Sequence, residues 1–187
     1  QATGKVVPPA KVAAARRPPR SDGSEFALPA GTIIAGRYRV VRWLGRGGYS
    51  TVHAVQDADT GELVALKWAD PQPDQASADA TFNKLREEYM VGAMVLDENV
   101  VRTDAMGEAE DRPYLVLELL LGQALDEHLE EYGSPPPALS LPLLCSAASA
   151  VAAVHAAGIV HRDLKPGNFF LDEAVGRLRL IDFGIAL

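Results

Sequence analysis

An α+β fold in two lobes, strand-rich first and helical afterwards, is what the 187-residue sequence predicts. Two observations carry it: short β-like runs crowd the stretch from Tyr38 to about Leu120, and helical patterns dominate after Gly122. YRVVRWL, STVHAVQDA and ELVALKWA, separated by Gly-rich or Thr-Gly breaks, predict a meander of three strands. From about Ala78 to Leu96, Phe82, Leu85, Tyr89 and then Val91 to Val95 place apolar residues at helical spacing. VVRTDAMGEA and RPYLVLELLL add two strands, giving a five-stranded antiparallel sheet with one helix. Beyond Gly122, ALDEHLEEYG predicts a short amphipathic helix and SPPPALS a connection. LPLLCSAASAVAAVHAAG is apolar enough to require burial on most sides. NFFLDE and RLRLIDF predict short strands joined by a turn at Ala174 to Gly176. No internal repeat is visible.

Composition narrows the function. With 48% hydrophobic residues a core is available, and a net charge of −7 argues against a nucleic-acid binder relying on overall positive charge. Residues 1–28 are rich in Pro and Ala and hold five basic residues (Lys5, Lys11, Arg16, Arg17, Arg20), which predicts a disordered leader. The single cysteine, Cys145, cannot form an internal disulfide, and its Leu-Leu-Cys-Ser-Ala-Ala setting predicts a buried structural thiol. No Cys/His cluster has the spacing of a zinc site. No run reaches the length of a membrane span and no signal peptide is present, so a cytoplasmic location is expected, with an anchor elsewhere in a longer parent left open.

Three motifs carry chemistry. In LGRGGYSTVHAV, Gly45 and Gly47 sit between strand-like runs and precede Val52; such glycines let backbone amides approach phosphates, although alone they read more readily as a hairpin turn. Ser50 stands where a third glycine would fit that pattern. Val64-Ala65-Leu66-Lys67 ends an apolar strand in one lysine, and Ala65 with Val52 offers small apolar surfaces to a planar base. A lone strand lysine is usually solvent-facing, but beside a glycine loop it places a cation near phosphates. Last, His161-Arg162-Asp163-Leu164-Lys165-Pro166-Gly167-Asn168 is followed by Asp182-Phe183-Gly184.

From these motifs, in this order, the stretch from Tyr38 to Leu187 resembles a eukaryotic-type (Hanks-type) Ser/Thr protein kinase, with a bacterial-like style. The resemblance implies a kinase-like small lobe and hinge over 29–120 and part of the large lobe over 121–187. It implies ATP and Mg2+ as cofactors and a protein substrate phosphorylated on Ser or Thr. Asp163 would be the base that takes the substrate hydroxyl proton, Lys165 would sit near the transferring phosphate, and Asn168 and Asp182 would hold magnesium. Lys67 would bind phosphates and pair with a helix glutamate. Counting back from Asn99 selects Glu88, which leaves Gly92 one turn on where the family packs a larger apolar residue; Glu87 would put Val91 there. Leu117 would guard the back pocket, the backbone of Glu118 and Leu120 would bond the adenine edge, and Phe170 would close the base with Val52 and Ala65. Arg162 implies control by a phosphorylated activation loop.

The sequence ends three residues after Gly184, so the resemblance places the activation segment and later helices beyond it. The helix around Leu143 to Val154 would then lose much of its covering, and a poorly stable, catalytically impaired chain is expected, cut from an active parent. Two other functions compete: a non-catalytic nucleotide-binding module, and a small-molecule phosphotransferase, against which Lys165-Pro166 argues.

Overall fold

The structure, a computed structural model, describes residues 26–183; residues 1–25 of the expected leader, and Gly184 to Leu187, lie outside the described residues. Six strands form the first sheet, in the order β1-β2-β3-β4-β6-β5: β1 (Ile33–Ile34), β2 (Tyr38–Arg46), β3 (Ser50–Asp57), β4 (Leu63–Ala69), β5 (Thr103–Ala109) and β6 (Arg112–Glu118). The five expected strands are all here, and all pairings are antiparallel. β1 is an addition. Ala35 (φ 51°) and Gly36 (φ 67°), both left-handed, turn the chain back through a three-residue connection, so that Ile34 pairs with Tyr38. The β5–β6 hairpin, in which Ala109 pairs with Arg112, closes through two left-handed residues, Glu110 and Asp111.

The pleat divides side chains between two cores. Leu66, Tyr114 and Val116 face a cluster with Tyr38, Val40, Val55 and Trp68, which residue Leu28 joins from the entering chain. Leu28 also donates its backbone N–H to His53 Nε2 at 3.1 Å. Ala65, Leu115 and Leu117 face the opposite side and meet Leu85 of helix α1 (Gln75–Met94). That helix starts earlier than the apolar spacing predicts, because Asp74 caps it by accepting from the Ser77 amide at 2.8 Å.

The second region contains β7 (Gly122–Ala124), α2 (Leu125–Tyr132), α3 (Pro137–Ala156), a 3₁₀ turn at Pro166–Asn168, β8 (Phe169–Asp172) and β9 (Arg177–Leu180), with sheet order β7-β8-β9. Part of the expected proline connection is helical, since Pro137 occupies the first turn of α3, where its missing N–H costs nothing. α3 packs on β9, and Ser146 Oγ accepts from the Leu178 amide at 3.0 Å. Two expectations about α3 are corrected. Only Ala150 and Val154 are buried, because one face rests on β9 while no described residue covers the other. Cys145 lies on that open face and is exposed, so it is not a core thiol. By length and composition α3 is long and apolar enough to cross a membrane, the only such helix among the described residues.

Candidate active site

The glycine-containing hairpin joins β2 to β3, with Gly45 paired to Val52 and Arg46 to Thr51. Gly47 donates its N–H to the Ser50 carbonyl at 2.7 Å, and the Ser50 side chain is buried beneath the loop. Gly47, Gly48 and Tyr49 form the exposed tip. Val52, Ala65, Leu117, Leu119, Leu120 and Ile181 share one apolar cluster below it. Two residues along β4 from Ala65, on the same face by the strand period, stands Lys67.

Lys67 Nζ donates to both carboxylate oxygens of Glu88 at 2.7 Å and lies 3.9 Å from Asp182 Oδ1. Glu88 is the buried member of the Glu87-Glu88 pair, and Glu87 is exposed. Both packing alternatives from the sequence are thereby reconciled. Val91 and Val95 still enter the cluster that holds Phe183, while Gly92 meets β5, where an added Cβ would lie 2.3 Å from Thr103 Oγ1. Burial alone lowers the Lys67 pKa, but Glu88 and Asp182 outweigh it and hold the ammonium above its ordinary value. Burial raises the Glu88 pKa, against the pull of Lys67.

Opposite, the loop 161–168 is folded around its own side chains. Lys165 Nζ donates to Asp163 Oδ2 at 2.5 Å, and Asn168 Nδ2 donates to the Asp163 carbonyl at 2.6 Å and to Oδ2 at 3.3 Å. The hydrogen bond from Lys165, and then that from Asn168, hold the Asp163 carboxyl below its ordinary pKa, and Lys165 is raised in return. With the Asn168 amide nitrogen committed to Asp163, its oxygen is left as an acceptor. Arg162 is exposed and left-handed (φ 67°), a conformation that contact between Cβ and the backbone makes costly and that recurs at functional loops.

His161, named in the motif but given no role from sequence, links this loop to the aspartate segment. The Asp163 amide donates to Nδ1 at 3.3 Å, which assigns the proton to Nε2, and that N–H donates to the Asp182 carbonyl at 2.5 Å. The ring also packs on buried Phe183, centroids 5.8 Å apart. Phe169 is buried in the same cluster as Phe183, so its neighbour Phe170 points to the other face of β8 and is partly exposed. Glu118 ends β6; its N–H donates to the Arg102 carbonyl at 3.0 Å. Sequence reasoning also missed Arg179, whose guanidinium meets Glu118, Asp172 and the Val100 carbonyl.

A sheet-borne lysine held by a helix glutamate, set over an Asp/Asn loop that is bonded to a second aspartate, defines a kinase-type two-lobed domain. The family model described as "Protein kinase domain" matches residues 38–187, and the chain belongs to that family. It is 36% identical over 160 residues to Serine/threonine-protein kinase pkn2 of Myxococcus xanthus, covering 84% of this chain and 19% of that protein. It is 33% identical over 156 residues to Serine/threonine-protein kinase PrkC of Bacillus subtilis, covering 83% and 24%. CBL-interacting protein kinase 30 of Oryza sativa is 34% identical over 154 residues, covering 82% and 32%. The chain thus spans between a fifth and a third of the length of these relatives.

Proposed function

We propose that the chain forms the nucleotide-binding and catalytic-loop part of a kinase that transfers the γ-phosphoryl group of ATP to Ser or Thr of proteins. Residues 29–120 are read as small lobe and hinge, and 121–187 as part of the large lobe. The observation that carries the reading is the convergence of Lys67, Glu88 and Asp182 within 3.9 Å across the two lobes. Phosphoryl transfer is mostly positioning and charge stabilisation, and a lysine held by two carboxylate oxygens cannot wander from its station.

Magnesium fits the donor set. Asp182, with its side chain 42% exposed, and the Asn168 oxygen are hard oxygen donors. Among the described residues no group of three or more His, Cys, Asp or Glu side chains forms a complete metal cage, which suits an ion completed by nucleotide phosphates and water. When bound, the ion supplies charge neutralisation at the phosphates. The protein's own part is to orient. Asp163, held by Lys165 and Asn168, would accept the proton of a substrate hydroxyl, and Lys165 beside it would offer a cation to the transferring group. The names of the relatives, all protein kinases and two of them serine/threonine kinases, favour a protein hydroxyl as acceptor.

The test is phosphate transfer from γ-labelled Mg-ATP to a generic protein acceptor by the longer parent protein, with phosphoamino-acid analysis. Label on Ser or Thr that disappears in Lys67→Met is the expected result. Tight Mg-ATP binding with no transfer would replace this reading with the non-catalytic nucleotide-binding module.

A further inference from the structure

Arg179 lies on β9, three residues before Asp182, with a side chain only 11% exposed and no part in the chemistry above. Nη2 donates to the Val100 carbonyl at 2.9 Å and to Glu118 Oε1, and Nη1 lies 3.4 Å from Asp172 Oδ2. These partners come from three separate pieces of chain. Val100 belongs to the linker between α1 and β5, Glu118 ends β6 where the chain passes to the second region, and Asp172 ends β8. The same Oε1 of Glu118 also accepts from the Arg102 amide at 2.7 Å. Backbone bonds reinforce the linkage: the Val101 amide donates to Leu180, and the Leu180 amide to Asn99, both at 2.8 Å.

A buried guanidinium is costly unless its donors are matched; here two carboxylates and a carbonyl take up Nη1 and Nη2, while Nε is buried with no hydrogen-bond partner among the described residues. One side chain therefore ties the crossover between lobes to the strand leading directly into Asp182. A groove of about 280 Å³ runs along the network, lined by Val95, Leu96, Asp97, Glu98, Arg102 and Arg179 among others. Apart from Glu118, no residue lining it belongs to the candidate nucleotide site, so the network can be altered without touching Lys67, Asn168 or Asp182.

We propose that Arg179 is a positioning residue for the nucleoside end of the substrate. Through Glu118 it sets the distance between the crossover backbone at 118–120 and the phosphate end at Lys67 and Asp182. The inference rests on the ATP-binding reading above and adds the group that fixes the spacing between its two ends.

The experiment titrates the protein with Mg-ATP and with magnesium tripolyphosphate, which has the phosphates but no nucleoside. Arg179→Gln is expected to weaken ATP about tenfold and tripolyphosphate less than about twofold. Arg179→Lys should restore part of the ATP affinity, and Glu118→Gln should reproduce the selective loss without adding to it in the double variant. Equal weakening of both probes, or unchanged ATP affinity, overturns the inference. If Arg179→Gln fails to fold, Glu118→Gln read against the same two probes decides. A wild-type protein that binds neither probe overturns the nucleotide reading itself, and this inference with it.

Discussion

Helices α1 and α3 are both 20 residues long, and they invert the usual relation between composition and burial. α1 is mixed and charged yet buries Thr81, Leu85, Glu88, Val91 and Gly92. α3 is almost wholly apolar yet buries two residues, with Leu139, Leu141 and Leu144 each more than 60% exposed. Burial follows what is packed around a helix, and a sequence states only what a helix would tolerate. α1 lies between a sheet face and the cluster around Phe183, so a few of its positions fix the site. α3 supplies a platform for β9 with one face, and no described residue covers the other.

That contrast breaks most visibly under truncation. Leu85→Ala should destabilise by about 2–5 kcal/mol, since it opens a cavity among Leu115, Leu117 and Ala65. Leu144→Ala, at a more apolar site of a more apolar helix, should stay within about 0.5 kcal/mol. Denaturant melts of the two variants give the comparison directly, and equal losses would show that the bare face of α3 is covered in solution.

The remaining predictions sharpen the same contrast at the site. In the longer parent protein, Asp163→Asn should lower kcat on the order of 100-fold or more while Mg-ATP affinity stays nearly intact, because the residue orients the acceptor and does not hold the nucleotide. Steady-state rates set beside a nucleotide titration check it. Since Lys165 and Asn168 hold the Asp163 carboxyl low, the acid limb of the rate profile should fall below the ordinary carboxylate range, and a limb near neutrality would point to another base. Glu88→Gln should cost activity on the order of tenfold or more, because half of the clamp on Lys67 becomes neutral, while Glu87→Gln, on the exposed side of α1, should change little. A larger loss in Glu87→Gln would place the wrong glutamate in the pair.

The smallest effect concerns the attachment of the entering chain. Burial lowers the His53 pKa, with Asp70 partly opposing, and Nε2 must be unprotonated to accept from Leu28. The unfolded chain therefore takes up a proton first as pH falls below about 6.5, so this contribution is full above that value and is lost through the folded value below it. Melting temperatures of wild type and His53→Gln should converge as the pH is lowered. Parallel curves would remove His53 as the titrating group.

Much of this was legible in the sequence, for reasons particular residues make plain. Lys67, Asp163, Asn168 and Asp182 lie in short motifs whose spacing is itself the constraint, and Glu88 follows from a count against Asn99. β1 and β7 escaped because two or three residues carry no measurable alternation. The start of α1 was marked by Asp74 and Ser77, a polar cap that an apolar periodicity passes over. Arg179 gave no local signal, since its partners Glu118 and Val100 lie 61 and 79 residues away. The exposure of Cys145 was hidden because composition describes a helix all round, whereas neighbours cover it on one side.

Gly92 against Thr103 also has a mechanical side. Where the helix presents no side chain of its own, its backbone rests on the Thr103 side chain as on a fulcrum, and the load, Glu88, hangs about 6 Å up the same rod. A shim as thin as one methyl group at Gly92 would tilt α1 and carry the carboxylate away from Lys67 while leaving both charges in place. The ion pair at the heart of the site is thus gauged by a side chain that the chain omits.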